Sequence, residues 1–496
     1  MTTLNTPEEM KTSELSDDTK IIDQTEATTA SDAKADQGTV DLTGETKVLD
    51  SPGKKKQPKE QKKMMPFVGA PKWGKLDNTA QLFPVIANDS MSNVYRISVN
   101  LTEEIMPGLL RQAAEWLVPQ LTIFKMRIRN GIFWFYFEEN DRPLPPIREE
   151  QLIPGAPIIK QQNEQYLFRI SYFGKRINLE VFHALTDGYG GIVFLQELIY
   201  KYLRLLHPEE LSGEKDKLSE GLFLDYEDSY LKSVPSAKRA GSPKKTYQKG
   251  KGYQIKGEKL PAGEMGLTHV NMKVSELKEV CKRYGVTINQ YLVSAYIYAI
   301  DHAALEEGKR RTKPLRCCVP VNLRPFYNSH TMKNFFVMVT TSLEPEEQGM
   351  EFEALMRKSI DQLNAQIGKE QFDATLAWNV NKQTKPIHRI VPLFIKVFLI
   401  RQVYLATAAA TTTTITNIGS IPIAEPYRPY VEKFYAMISM SKGQNLKAGI
   451  VSYANTLTVT FTSSLKSLNV QREFVKRLTD DGIEVAVETN GSYEEE

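Results

Sequence analysis

Hydrophobic and polar positions alternate with a period of two over Asn93–Leu101, and again over 165–172 and 176–183, two runs that meet around Gly174. Such alternation predicts half-buried strands, the latter two as a hairpin. Ile177, Leu179, Val181 and His183 fall on one face, Asn178, Glu180 and Phe182 on the other. The period then changes. Ile192, Leu195, Leu198, Ile199 and Tyr202 recur at spacings of three and four, which predicts a helix running through Leu203. Between them lies Ala184-Leu185-Thr186-Asp187-Gly188-Tyr189-Gly190-Gly191. The unit is strand, glycine-rich turn, helix, with a histidine closing the apolar row and an aspartate in the turn.

Similar patterns run along the chain. A helix is predicted from about Glu103 to Trp116, and a hairpin from Phe124–Arg129 and Gly131–Glu138 turning at Asn130-Gly131. Residues 208–232 are mixed. Further on, strands are expected at Thr268–Met272, Leu315–Leu323, Met332–Thr341, Ala410–Ser420, Phe434–Met440, Ala448–Tyr453, Thr456–Ser463 and Ile483–Glu488. Helices are expected at Ser275–Tyr284, Ile288–Leu305, 349–370 and Val470–Thr479, with Gly285 and Thr287 placed as C-cap and N-cap between the first two. Mixed helix and strand in both halves fits an α+β fold of two similar sandwiches.

Composition sets the borders. Residues 1–65 are polar and charged, ending in the basic run Lys54–Lys63, and are expected to be a disordered tail. That leaves a half at 66–232, a crossover linker at 233–262 rich in Pro, Gly, Lys and Ser, and a second half at 263–496. In the linker, Lys244, Lys245, Lys249 and Lys251 fit either a solvated connection or contacts to a ligand phosphate. Net charge is +3, which carries no nucleic-acid signature. Three cysteines give neither a disulfide framework nor C-x-x-C metal spacing, in keeping with a reducing cytoplasm. The N-terminus lacks the build of a signal peptide. The most apolar stretch, Ile390–Leu405, holds Pro392, Lys396 and Arg401 and is too short and charged to span a bilayer. It is expected to be a core helix, with a helix lying on a membrane surface as the alternative.

The candidate chemistry sits at His183 and Asp187. A histidine on an apolar face also fits a core residue satisfied by a carbonyl, and Asp187 fits a helix cap. The other reading is a general base held at a strand end. His183-Ala184-Leu185-Thr186-Asp187-Gly188 resembles the H-x-x-x-D-G signature of the chloramphenicol-acetyltransferase-like superfamily, which includes condensation domains, wax-ester synthases and alcohol acetyltransferases. Val319-Pro320-Val321-Asn322-Leu323-Arg324-Pro325 is similar to the superfamily strand that ends in a buried arginine. Lys333-Asn334-Phe335 stands where relatives carry Gly-Asn, with Lys333 in place of the glycine. Asn417-Ile418-Gly419 resembles an N-x-G on a strand reaching toward the active site, and Asp480-Asp481-Gly482-Ile483 resembles the end of bacterial alcohol acetyltransferase-like proteins. The resemblance covers roughly residues 66–490.

The resemblance implies two mixed-sheet α/β sandwiches packed face to face with a tunnel between them and His183 at its centre. It implies an acyl-CoA-dependent O-acyltransferase, with acetyl-CoA as co-substrate, an alcohol or sugar hydroxyl as acceptor, and no resident cofactor or metal. His183 would be the base. Asp187 would pair with Arg324 as a structural brace, and Gly188 would keep the wall open. Asn417 would line the site or bind the oxyanion, or serve only strand packing. The protein would act as a monomer without nucleic acid or a transmembrane segment, in the cytoplasm or peripherally on a membrane. The alternatives are an N-acyltransferase or long-chain ester synthase of the same fold, and a non-catalytic scaffold. Phe182 stands where condensation domains carry the first of two histidines, and no D-F-G-W-G, G-x-S-x-G, P-loop or dinucleotide fingerprint is present.

Overall fold

The computed structural model describes residues 72–490 apart from 90, 220–225, 238–249, 262 and 385–389. The expected tail at 1–65, most of the linker, and Lys244, Lys245 and Lys249 lie outside the described residues.

Two sheets carry the architecture. The first has five strands in the order Val431–Met437, Val94–Leu101, Arg176–Phe182, Phe168–Phe173 and Arg148–Glu149, antiparallel except for the last pair. Its strands alternate as the sequence suggests, but neither face is wet. Ile177, Leu179 and Val181 enter an apolar core shared with the helices Pro107–Leu117 and Gly188–Leu206. On the opposite face Asn178 and Glu180 are also buried. Glu180 is tolerable there because Arg96 and Arg169 donate to its two oxygens and the Gly155 N–H adds a third partner. Burial alone would raise its pKa, but these donors hold it below the ordinary carboxylate range.

The second sheet has seven strands in the order Phe336–Leu343, Leu315–Asn322, Thr413–Ser420, Leu446–Tyr453, Thr456–Ser463, Gly266–Lys273 and Val485–Thr489. Thr413–Ser420 runs parallel to both its neighbours; all the other pairs are antiparallel. Helices Val274–Tyr284, Ile288–Glu306, Phe352–Asn364 and Asn469–Asp480 cover it around a second apolar core. Thr287 and Gln290 form the full reciprocal cap at the start of Ile288–Glu306, and Gly285 ends the preceding helix in the left-handed region.

Three expectations need correction. The strand expected at Phe434–Met440 occupies Val431–Met437 and pairs with Val94–Leu101, so a segment late in the chain completes the first sheet. Periodicity identifies a strand but not its neighbour. The hairpin at Asn130 pairs Asn130 with Phe135, so its turn has four residues (131–134) rather than a two-residue Asn-Gly turn. It joins Trp73–Lys75 in a separate three-stranded sheet. The tip is held elsewhere: the Leu393 N–H donates to the Ile132 carbonyl, and the Lys396 ammonium lies 3.3 Å from the centre of the Trp134 ring. Finally, the apolar stretch forms the helix Leu393–Ala408, but it is not a core helix. Most of its apolar side chains face outward. No described helix is long and apolar enough to cross a membrane.

Candidate active site

The strand Arg176–Phe182 delivers His183 to the end of the first sheet, where its backbone N–H donates to the Asn93 carbonyl. The chain reverses and enters the helix at Gly188. This turn is tight because neighbours press on it. Tyr95 donates from its hydroxyl to the Asp187 carbonyl at 2.8 Å, and a Cβ at Gly191 would lie 2.8 Å from that hydroxyl oxygen. A Cβ at Gly188 would lie 3.1 Å from a methyl of Ile418, so this glycine lets the strand Thr413–Ser420 come close to the helix start.

Asp187 occupies the N-cap position of the helix without capping it. Its carboxylate turns instead to Arg324, which donates to both oxygens at 2.9 Å, and to the Phe335 N–H at 3.0 Å. Arg324 is buried and all five of its N–H groups are engaged. Beyond Asp187 they reach the carbonyls of Thr331 and Lys333 and the side-chain oxygen of Asn322. Its guanidinium also lies 4.4 Å over the Tyr189 ring. Such a planar, saturated fork is what arginine provides and lysine does not.

Three consecutive residues thread this cluster. The Lys333 carbonyl binds Arg324, the Phe335 N–H binds Asp187, and between them Asn334 reaches the histidine: its Oδ1 lies 3.0 Å from His183 Nδ1. The other end of the Asn334 amide is fixed too. Its Nδ2 donates to Asp77 Oδ2 at 3.1 Å, and its backbone N–H points to the same oxygen at 3.3 Å. An amide whose NH2 faces a carboxylate presents its oxygen to the imidazole. That oxygen can only accept, so Nδ1 carries the proton and Nε2 is the basic nitrogen. Asp77 is fully buried, and burial pushes its pKa up to about 7.

The ring of His183 is half-buried. Phe83 stacks on it at 4.6 Å, Tyr95 meets it edge-on at 5.1 Å, and Phe336 lies 5.8 Å away. Burial lowers its pKa below the ordinary value of 6.5, against the opposing charge of Asp187 and the bond from Asn334. The ring is therefore neutral at pH 7, the form a base requires.

The sequence-derived residues do not all converge. His183, Asp187, Gly188 and Arg324 form one cluster. Asn417 lies on the neighbouring strand with its Oδ1 accepting from the Gly419 N–H at 2.8 Å, inside a register shift of the sheet. Sequence reasoning missed Asp77 as the anchor of Asn334 and Phe83 as the platform under the ring. It also missed Lys447, a buried lysine whose pKa burial pulls down to about 7. A hollow of about 460 Å³ lined by Tyr284, Phe352 and Arg477 shares no residue with this cluster.

No family model and no curated protein sequence matches the chain. Solved structures match its fold. The first condensation domain of the calcium-dependent antibiotic synthetase aligns at 12% identity and TM-score 0.57, over 82% of this chain and 96% of that one. The trichothecene 15-O-acetyltransferase of Fusarium sporotrichioides aligns at 11% and 0.53, over 83% and 94%. The starter condensation domain of rhizomide synthetase, solved with C8-CoA and Leu-SNAC, aligns at 11% and 0.50, over 82% and 93%. The chain thus shares its fold with these condensation domains and with the O-acetyltransferase.

Proposed function

We propose that this protein is an acyl-CoA-dependent O-acyltransferase, transferring an acetyl group from acetyl-CoA to an alcohol or sugar hydroxyl, with His183 as general base. The observation that carries this reading is the contact of His183 Nδ1 with Asn334 Oδ1, whose amide nitrogen faces Asp77; it leaves the lone pair of Nε2 for a substrate proton. The likeness to an O-acetyltransferase, and to a condensation domain solved with C8-CoA, supports a CoA thioester as donor.

In this mechanism Nε2 takes the proton from the acceptor hydroxyl as its oxygen attacks the thioester carbonyl. The carbonyl oxygen becomes an oxyanion, for which the Asn417 amide nitrogen is the assigned donor. Collapse breaks the C–S bond, and the imidazolium returns its proton to the thiolate of coenzyme A. Asp187 never meets substrate. With Arg324 it holds the turn, and through Phe335 it holds the segment that carries Asn334. Gly188 keeps side-chain bulk away from the helix start. Residues 66–232 and 263–496 are assigned as the two halves, 233–262 as their connection, and the space between the halves as the substrate tunnel. The protein is assigned as a monomer of the reducing cytoplasm, its three cysteines giving no disulfide framework.

The test follows free thiol from acetyl-CoA and longer acyl-CoAs with a panel of alcohols, sugars and amines. Thiol release that needs both a hydroxyl acceptor and His183 supports the reading. Release only with amines or only with long acyl chains replaces it by one of its same-fold alternatives, and no release with any donor leaves the scaffold reading. The pH dependence gives a second check. Activity should rise with pH along an acid limb whose midpoint lies below 6.5, because only the neutral ring acts. The bond from Asn334 raises the His183 pKa, so Asn334→Ala should shift that limb to lower pH and lower kcat by about 10²-fold through loss of alignment. An unmoved limb in that variant would remove Asn334 from the mechanism.

A further inference from the structure

The helix Leu393–Ala408 presents an apolar surface that the fold does not use. Ile390 is 71% exposed, Phe394 74% and Phe398 62%, and Leu399 and Val403 also face outward. The tip of the first hairpin extends the same surface. Ile132 is 76% exposed, and its carbonyl accepts from the Leu393 N–H at 2.8 Å, so tip and helix start are one unit. Lys396 ties them further by donating to the Phe133 carbonyl. An outward apolar surface on two joined elements marks a place where something docks.

The charge around it indicates what docks. The sequence holds no aspartate or glutamate between Asp373 and Glu425, although the chain has 60 acids in 496 residues. Of the cations in the same stretch, Lys396 is buried against Trp134 and the Phe133 carbonyl. Arg401 is exposed on the helix itself. Protruding phenylalanines beside an exposed arginine, on a stretch of sequence without acids, suit the boundary of an anionic bilayer, where rings enter the acyl region and the guanidinium meets headgroups. A second copy of this chain would bring an equally acid-free surface against this one and gain no charge pairing.

The position links the surface to the base. The short helix Phe83–Ile86 packs against Leu393–Ala408, and Phe83 stacks on the His183 ring. Tyr404, on the same helix, reaches Met91 with its hydroxyl at 3.7 Å from the sulfur. One thin layer therefore separates the exposed surface from His183. We infer that Leu393–Ala408 and the hairpin tip dock on an anionic lipid surface, and that the acceptor is a membrane-dissolved alcohol entering beside Phe83. The docking stands on the surface alone; the acceptor class rests on the proposed acyl transfer.

The experiment sediments the full chain with phosphatidylcholine vesicles, with and without phosphatidylglycerol, beside the variant Phe394→Glu/Phe398→Glu. Wild type should bind the anionic vesicles, more weakly at high salt and on phosphatidylcholine alone. The variant, altered only at exposed positions, should keep the wild-type melting profile and bind about tenfold less or worse. It should acylate a short soluble alcohol at the wild-type rate but lose transfer to a long-chain alcohol carried in the vesicles. Absence of wild-type binding to anionic vesicles, or equal binding by the variant, overturns the proposal. So does a wild-type dimer that the substitutions dissolve without any vesicle binding, since a second copy would then be the occupant. Equal loss of transfer to soluble and vesicle-borne alcohol overturns the acceptor assignment. Vesicle binding without acyl transfer to any alcohol would instead overturn the proposed reaction and leave the docking surface in place.

Discussion

His183→Ala is expected to lower acyl-CoA-dependent thiol release by about 10²–10⁴-fold, the range over which a positioned general base contributes. The variant removes the nitrogen proposed to accept the hydroxyl proton and leaves the supporting frame intact. Asn334 would still be held by Asp77, and Asp187 by Arg324. The melting temperature should therefore change little while the rate collapses. Matched assays and thermal unfolding of wild type and variant check this. A rate within a few-fold of wild type would place the chemistry elsewhere.

Asp187→Ala should show the opposite balance. The carboxylate is buried and answers two guanidinium N–H groups and the Phe335 N–H. Removing it leaves the buried Arg324 charge without its counterion, a change that costs roughly 3–5 kcal/mol. Loss of that size shifts the urea midpoint strongly. Activity should fall as well, because Asn334 sits between two residues that the pair fixes. Arg324→Lys should cost nearly as much, since a lysine cannot supply five donors in one plane. An Asp187→Ala protein with wild-type urea stability would contradict a bracing role.

The parts of this site that the sequence made legible are those whose signal is local. His183 through Gly188 lie in one short turn, and strand and helix periods on either side place that turn at an element boundary. Arg324 could be named because Val319–Pro325 resembles a superfamily strand that ends in a buried arginine. Asn334 was visible only as a position in a matching segment. Its contact with Asp77 spans 257 positions, and an aspartate followed by Asn-Thr reads like any turn residue. No periodicity carries that pairing. The helix Leu393–Ala408 fails differently. A helix apolar on every side reads as buried, yet only one side packs on the protein. Hydrophobic pattern reports what a segment can cover, not what covers it. Likewise Phe434–Met440 reads as a strand in the second half, while the partner of the observed strand Val431–Met437 in the first sheet depends on how the chain crosses between the sheets.

The most direct measurement is a crystal structure of the full chain with coenzyme A bound. The thiol sulfur should lie beside His183 Nε2, with Nδ1 still on Asn334 and the carboxylate of Asp187 still turned to Arg324. Coenzyme A bound in the hollow at Tyr284 and Arg477 instead, or an imidazole turned so that Nε2 faces Asn334, would contradict it.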